Sequence, residues 1–222
     1  VTGYNLVQLM VGSEGTLGVF TKIWLRLTPE ARFAADLLVY FRTVDESITL
    51  VPRIMAETGI VPTAIEFVDG DSFRRSCTFL NESLSSEDAA AVLIITVDGA
   101  DEEDVFRCYE RIGSLCEESG AMNVFVADTP PVSERVWKIR RSIAESYAII
   151  SPHQANEDLV VPPASIPQLI EGMRRIAERY EVTIPAYGHA GDGNIHTRIV
   201  KNPDWSVAYW EERLPRVLDD LY

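Results

Sequence analysis

The pattern of apolar and polar positions predicts a strand–helix–strand unit near the start of the chain. Residues 33–41 are mostly apolar, as is typical of a strand, and a helix follows them from Thr43. Thr43 and Glu46 form a capping box, after which apolar positions recur with helical spacing until Gly59. Residues 63–68 return as a strand.

The same order recurs between residues 91 and 127. Residues 91–97 form a continuous apolar strand, Asp101 caps an amphipathic helix, and residues 123–127 form a further strand. Two such units that share one sheet are typical of ferredoxin-like domains. We therefore predict an α+β fold, in which an antiparallel sheet has its helices packed on one face.

The rest of the chain continues with alternating helices and strands. A helix opens at Pro130, a strand covers 158–162, and Ser165 caps a second helix. An amphipathic helical pattern begins at Trp205, and we expect Pro215 to interrupt it.

A β-hairpin is predicted for residues 184–200, because Asp192 and Gly193 are a strong signal for a two-residue turn. A turn on these residues pairs His189 with His196, so that two imidazoles are neighbours on one face, about 4.5–5.5 Å apart at Cβ. Two imidazoles in this arrangement can hold one metal ion.

The predicted register also places Tyr187 opposite Arg198 on the face of the two histidines. The alternative interpretation is that the histidines pack against neighbours or face solvent, as most single histidines on strands do. Two of the chain's three histidines fall in register across the turn, yet from spacing alone both interpretations stay open.

Composition and charge narrow the classes of partner. The 222 residues include 34 acidic and 20 basic side chains, and the formal net charge of −14 argues against nucleic acid and anionic membranes as partners. No apolar run approaches the ~20 residues of a membrane span, and no signal peptide opens the chain. The three cysteines form no Cys-x-x-Cys pair, so we expect free thiols in a reducing, cytoplasmic compartment.

The segment 189–196, His-Ala-Gly-Asp-Gly-Asn-Ile-His, resembles the His-x-Gly-Asp-Gly-Asn-x-His signature of the FAD-linked D-2-hydroxyacid oxidases and dehydrogenases. These enzymes belong to the vanillyl-alcohol oxidase superfamily. The resemblance implies FAD as the cofactor. It also implies that His189 and His196 bind a divalent metal, such as zinc, manganese or iron, which contacts the hydroxyl and carboxylate groups of the substrate.

A second motif resembles the same family. The segment 12–19 is rich in glycine, and its spacing alone indicates a tight turn before a strand at 20–27. With the residues before it, the segment resembles the last FAD-contacting part of these enzymes. The flavin contacts that this implies are Gly12, Ser13, Glu14, Gly15, Thr16, Gly18 and Val19. The chain then divides into the end of an FAD-binding domain at 1–30 and a substrate-binding (cap) domain at 31–222.

Arg140 borders the apolar stripe of its predicted helix, which leaves two interpretations open: an internal ion pair or snorkelling, or a clamp for a carboxylate ligand. Trp137-x-x-Arg140 resembles the family's Trp-x-x-Arg, which implies that Arg140 binds the substrate carboxylate. Glu66 resembles a family glutamate, although a solvated strand face explains it equally well. Where some members carry a substrate-binding lysine, this chain has Asn156. The predicted substrate-binding residues are Arg140, Arg198, Tyr187 and Asn194.

The leading hypothesis is a fragment of an enzyme that oxidises a D-2-hydroxyacid of the glycolate or D-lactate type. The chain starts at Val1 rather than Met and stops at Tyr222 inside a helical pattern, so we expect it to be truncated. The resemblance implies a Glu-His-Gly motif beyond Tyr222, with the third metal ligand and a candidate base. No residue of this chain is therefore assigned as catalytic, and we expect the fragment alone to be inactive.

The expected partners are a small 2-hydroxyacid and, in the whole protein, an electron-acceptor protein or a quinone. An oligomer and a peripheral position at a membrane, through a partner subunit, are compatible with the family. Two alternatives remain from the sequence: a metal-dependent hydrolase built on the histidine pair, and a non-catalytic ferredoxin-like ligand-binding module.

Overall fold

The computed structural model describes residues 3–84 and 86–222. Val1 and Thr2, which belong to the predicted FAD-domain segment, and Ser85 lie outside the described residues. The chain forms two compact units, Val1–Glu30 and Ala31–Tyr222.

The first unit contains one short helix, α1 (Leu6–Met10), which Asn5 caps by accepting a hydrogen bond from the Gln8 amide. The strand predicted at 20–27 is not formed, because these residues pair with no strand in the described part of the chain. A lone strand leaves its backbone donors and acceptors without partners and cannot bury its apolar side chains. Trp24 is accordingly 94% exposed.

The second unit is built on one seven-stranded antiparallel sheet, which confirms the predicted α+β fold. In spatial order its strands are β4 (Asn123–Ala127), β1 (Phe33–Phe41), β3 (Ala91–Gly99), β2 (Ala64–Asp69), β6 (Ala186–His189), β7 (Asn194–Val200) and β5 (Gln154–Val160). The order β4-β1-β3-β2 of the first four is ferredoxin-like. The strands β6, β7 and β5 extend the same sheet beyond β2.

Helices cover both faces of this sheet. They are α2 (Val44–Thr58), α3 (Gly70–Leu80), α4 (Glu102–Glu118), α5 (Pro130–Arg141), α6 (Ile143–Ala148), α7 (Ile166–Tyr180) and α8 (Val207–Leu221). The helices α2, α4 and α7 pack on the face that carries Leu37 and Leu93, whereas α3, α5 and α6 pack on the face of Leu38 and Ile94. The prediction of helices on one face is therefore wrong for α3, α5 and α6. Strands with continuous apolar runs, such as β1 and β3, are apolar on both faces and need cover on both.

Helix α8 packs against α7 in a separate apolar cluster that includes Tyr180, Trp210 and Val217. Pro215 lies inside α8 and does not interrupt it, contrary to the prediction. Burial of the apolar stripe of α8 outweighs the one backbone hydrogen bond that a proline removes. Among the residues that the structure describes, no helix combines the length and the apolar character needed to cross a bilayer.

The β6–β7 hairpin is formed, but its register differs from the prediction by two residues. His189 pairs with Asn194 rather than with His196, so the loop has four residues, 190–193, instead of two. A type I′ turn requires a positive φ at both turn residues, and in this loop only Gly193 (φ 81°) has one. The Gly193 amide donates instead to the His189 carbonyl oxygen, at 3.1 Å. A shift of two residues leaves every side chain on its predicted face, because side chains alternate with period two.

The loop geometry predicts that its two glycines differ in their tolerance of a side chain. A Cβ added at Gly193 would lie 1.9 Å from the Val161 carbonyl oxygen, whereas at Gly191 no atom lies within 4 Å. We expect Gly193→Ala to lower the free energy of unfolding by roughly 2 kcal/mol or more, through this clash and the positive φ. Gly191→Ala should change it by less than about 0.5 kcal/mol. Urea unfolding of the two variants measures both values, and equal losses would contradict this loop.

Candidate functional site

The polar residues of the hairpin lie on the sheet face that carries α5. Tyr187 and Val200 belong to the apolar cluster of that face, and strand alternation places their polar neighbours on the same side. Helix α5 adds Arg140 from above, and β2 adds Glu66, which pairs directly with His189 across the β2–β6 ladder. The side chains of this open face that carry chemistry are Glu66, Arg140, Asp158, Tyr187, His189, Asn194, His196 and Arg198.

The two imidazoles of the hairpin lie next to each other. Their ring centroids are 5.4 Å apart and their planes are inclined by 80°. They are diagonal rather than direct neighbours, because His196 pairs with Tyr187. Tyr187, predicted to lie opposite Arg198, therefore lies beside His196, with ring centroids 6.0 Å apart.

Each imidazole has a carboxylate at its Nδ1 atom. The Nδ1 atom of His189 contacts Glu66, and the Nδ1 atom of His196 lies 2.5 Å from Oδ1 of Asp158. An ionised carboxylate accepts hydrogen bonds and donates none, so a neutral imidazole in this setting carries its proton on Nδ1. Both Nε2 atoms then keep a lone pair. This is the tautomer that metal-binding histidines with carboxylate partners adopt.

Glu66 also forms a buried ion pair with Arg140. Oε2 of Glu66 accepts a hydrogen bond from Nε of Arg140 at 2.8 Å and lies 2.7 Å from Nη2, and the two side chains are 4% and 12% exposed. The guanidinium lies over the ring of Tyr187, 4.7 Å from its centroid. The interpretation of Glu66 as a solvated strand face is therefore wrong. Arg140 makes the internal ion pair that was one of its two interpretations, and its contact with a substrate stays a prediction.

Arg198 differs from Arg140 in its surroundings. Its Nε and Nη1 atoms donate to the Tyr187 hydroxyl and to Oε1 of Gln154, each at 3.2 Å. Within residues 3–84 and 86–222, no carboxylate lies at ion-pair distance from its guanidinium. Asn156 pairs with Arg198 across the β5–β7 ladder. Arg198 is thus a half-buried cation held by neutral groups.

Asn194 has a polar atom that its described neighbours do not satisfy. Its Oδ1 atom is buried and accepts no hydrogen bond from the described residues. Buried acceptors nearly always have a partner, so this atom is available to a donor from a ligand or from a water molecule. Asn194 begins β7 directly opposite His189, which places it in the site.

Helix α5 is held over the sheet by a buried aspartate that the sequence analysis did not single out. Asp36, 2% exposed on β1, accepts hydrogen bonds from Thr96 Oγ1 (2.5 Å), Trp137 Nε1 (3.1 Å) and Ser133 Oγ. Ser133 and Trp137 are four residues apart on α5, and Arg140 follows one turn later. Asp36 therefore fixes the face of α5 that presents Arg140. The available signal was a charged residue within an apolar strand.

The site offers some of the ligands that a metal ion needs, but the set is incomplete. His189 and His196 offer two neutral imidazole nitrogens, and zinc, iron and manganese all accept such donors. In the described part of the chain, no group of three or more His, Cys, Asp or Glu side chains is arranged to hold a metal. Burial raises the pKa of the Cys77 and Cys116 thiols to about 12, so neither supplies a thiolate near neutral pH.

The glycine-rich segment lies in the first unit and is described there by itself. Gly12 and Gly15 both have φ 77°, and nothing lies within 4 Å of the Cβ positions that side chains would occupy. The Ser13 hydroxyl is buried and has no hydrogen-bond partner among the described residues. The segment borders an open apolar groove lined by Leu6, Val7, Met10, Phe20, Ile23 and Trp24. Its predicted flavin contacts stay predictions.

Comparison with known proteins relates nearly the whole second unit to one family. The family model described as FAD linked oxidases, C-terminal domain, matches residues 30–219. The glycolate oxidase subunit GlcD of Bacillus subtilis is 34% identical over an alignment of 207 residues, which covers 92% of this chain and 43% of that protein. A D-lactate dehydrogenase of Anaerostipes hadrus is 28% identical over an alignment of 226 residues, gaps included, which covers 100% of this chain and 47% of that protein. The chain thus spans less than half the length of these relatives.

Solved structures share the fold. An alkyldihydroxyacetonephosphate synthase superposes with a TM-score of 0.70 at 15% identity, over 100% of this chain and 44% of that one. A substrate-bound p-cresol methylhydroxylase superposes with a TM-score of 0.65 at 11% identity, over 88% of this chain and 44% of that one. At these identities the likeness concerns the fold alone.

The hydrogen bonds of Asp36 predict a large effect of its removal. Asp36→Ala leaves three partly buried donors without this acceptor, so we expect the free energy of unfolding to fall by roughly 3 kcal/mol. Asp98→Ala is the matched control, because Asp98 is an exposed aspartate on β3, and it should cost less than about 0.5 kcal/mol. Denaturant unfolding measures both. Equal stabilities of the two variants would show that Asp36 does not hold α5.

Proposed function

Because the chain belongs to the C-terminal domain family of the FAD linked oxidases, we propose that it is the substrate-binding domain of a flavin-dependent oxidoreductase. The proposed reaction is oxidation of a D-2-hydroxyacid, such as glycolate or D-lactate, to the 2-oxoacid. The observation that carries the proposal is the open face of the hairpin, which combines two imidazoles with free Nε2 atoms and an arginine without a carboxylate partner in the described residues. Family membership favours this function over the hydrolase and the non-catalytic module.

The residues of this chain have distinct tasks in the proposal. The Nε2 atoms of His189 and His196 hold a divalent metal, and a flavin is contacted by the segment 12–19. When bound, the flavin supplies a hydride acceptor and the metal supplies a Lewis acid for the substrate hydroxyl. The chain's own groups bind and orient the hydroxyacid, and Asn194 Oδ1 is free to accept a hydrogen bond from it.

Arg198 is the stronger candidate for the substrate carboxylate. Arg140 already uses its Nε and Nη2 atoms on Glu66, whereas the acceptors of Arg198 among the described residues are neutral oxygens. A carboxylate that replaces a neutral acceptor gains a charge-assisted hydrogen bond, which is about twice as strong. Arg140 keeps its Nη1 atom for a second, weaker contact with the carboxylate.

The resemblance to the FAD-linked D-2-hydroxyacid oxidases and dehydrogenases implies an electron acceptor and a location for the whole protein. The whole protein would pass electrons from the flavin to a protein or a quinone, and it would reside in the cytoplasm or at a membrane surface through a partner subunit. The third metal ligand and the base would come from a Glu-His-Gly motif outside this chain.

Metal binding predicts a difference between the three histidines. Two neutral imidazoles supply half of a tetrahedral zinc shell, so we expect this chain to bind zinc at micromolar affinity or more weakly, on the order of −8 kcal/mol. His189→Ala and His196→Ala should each weaken binding at least about tenfold. His153→Ala is the control, because His153 is an exposed histidine outside the site. Zinc calorimetry at pH 8 tests this, and an unaffected His196→Ala variant would refute the metal pair.

Substrate binding predicts a difference between arginines. In the whole protein that carries this chain, Arg198→Gln should raise the KM for D-lactate or glycolate at least about tenfold, because a charged hydrogen bond contributes about 1.5–3 kcal/mol. Arg107→Gln, on the exposed surface of α4, is the control and should leave KM unchanged. Dye-coupled oxidation assays measure the constants. Equal KM values for the two variants would exclude Arg198 as the carboxylate anchor.

A further inference from the structure

The carboxylate of Glu66 is shared between two groups of the open face. Oε1 contacts Nδ1 of His189, while Oε2 accepts a hydrogen bond from Nε of Arg140 and lies 2.7 Å from its Nη2 atom. Glu66 is 3% exposed, so its negative charge is stabilised by these two partners rather than by water. The second histidine is held differently, because Asp158 has 67% of its side chain exposed and contacts no arginine in the described residues.

We propose that Glu66 is a shared positioning residue, which couples metal binding at His189 to carboxylate binding at Arg140. The inference rests on the proposed function, since it takes His189 as a metal ligand and Arg140 as part of an anion site. It adds that the two sites are linked through one buried carboxylate, so that each ligand changes the affinity for the other by the same factor.

The effect of Glu66 on His189 concerns the tautomer of the imidazole. Glu66 fixes the proton on Nδ1 and leaves the Nε2 lone pair to the metal. A glutamine at position 66 can offer an amide donor to Nδ1, which favours the opposite tautomer, with the proton on Nε2. Loss of such an outer partner typically costs a factor of 10–100 in metal affinity.

The effect of Glu66 on Arg140 concerns the positive charge of the guanidinium. Glu66 occupies the Nε and Nη2 atoms of Arg140, so a carboxylate ligand meets a guanidinium that is already neutralised. With a metal ion held at Nε2, His189 would donate more strongly from Nδ1–H, and the negative charge of Glu66 would shift toward the imidazole. Arg140 is then less neutralised, and it binds an anion more strongly. Removal of the Glu66 charge should have the same effect on Arg140 without any metal.

The two effects predict changes of opposite sign in one variant. We expect Glu66→Gln to weaken zinc binding at least about tenfold, by calorimetry at pH 8. In the absence of zinc, the same variant should bind D-lactate at least about threefold more tightly, by NMR titration. Damage to the fold would instead lower the affinity for zinc and the affinity for D-lactate together. Asp158→Asn is the matched control, and it should weaken zinc binding without any gain in D-lactate affinity.

A loss of both affinities in a folded Glu66→Gln variant, or no change in either, would overturn the link. If Glu66→Gln does not fold, because Arg140 loses its counter-charge in a buried place, two further measurements decide. Arg140→Gln should lose D-lactate affinity and keep its zinc affinity within about threefold, because Glu66 still orients His189. Imidazole nitrogen shifts of the unmodified chain at pH 8 should show His189 with its proton on Nδ1. The Nε2–H tautomer, or a tenfold loss of zinc affinity in Arg140→Gln, would refute the proposal.

The outcome also separates this inference from the proposed function. Absence of zinc binding by the unmodified chain and by the whole protein would count against the metal site itself. Zinc binding that depends on both hairpin histidines, but is insensitive to Glu66→Gln, would leave the proposed function intact and reject only the link.

Discussion

The pairing of β2 with β6 is the contact on which the site depends, because it joins the ferredoxin-like half of the sheet to the hairpin. The ladder sets Glu66 directly opposite His189. Two further bonds lock it: the Ala190 amide donates to the Ile65 carbonyl oxygen at 2.9 Å, and the Ala186 amide donates to Oδ2 of Asp69 at 2.6 Å. Burial raises the pKa of the Asp69 carboxyl, and its hydrogen bonds with Ser72 and Ala186 oppose that rise.

Four segments that are distant in sequence meet where β2 pairs with β6. Glu66 comes from β2, Arg140 from α5, Asp158 from β5, and the histidines from β6 and β7. Each charged group is placed by an element packed for other reasons: α5 is fixed by Asp36 and by Ser76 Oγ, which donates to the Ile139 carbonyl oxygen at 2.5 Å. The geometry of the site is therefore a property of the whole sheet, and the loop alone does not create it.

The sequence predicted most of the fold because the strands are short, apolar and regularly spaced. It could not predict that helices cover both faces, since periodicity identifies a buried face without naming what covers it. The hairpin register failed for a specific reason: a loop closed by Gly193 alone competes with the Asp192–Gly193 turn, and contacts to Ile65 and Val161 decide between them. The prediction that His189 and His196 share one face is nevertheless right, because a shift of two residues preserves strand alternation.

Within the site, the sequence named the groups that bear chemistry, left the role of Glu66 open, and missed the orienting roles of Asp36 and Asp158. His189, His196, Arg140 and Arg198 stand out by residue type, whereas the roles of Glu66, Asp158 and Asp36 exist only through contacts across 38–123 residues. Contacts between residues so far apart in the sequence produce no local pattern from which they could be predicted. This limit is physical, since a buried carboxylate is recognised by what surrounds it.

The overall charge of the chain sets a condition on how an anionic substrate is bound. A formal net charge of −14 repels a carboxylate at long range, so electrostatic steering cannot favour its approach. Physiological salt screens that repulsion beyond about 8 Å, and binding then depends on charges within the site. There, Glu66 neutralises Arg140, whereas the described neighbours that hold Arg198 are neutral groups.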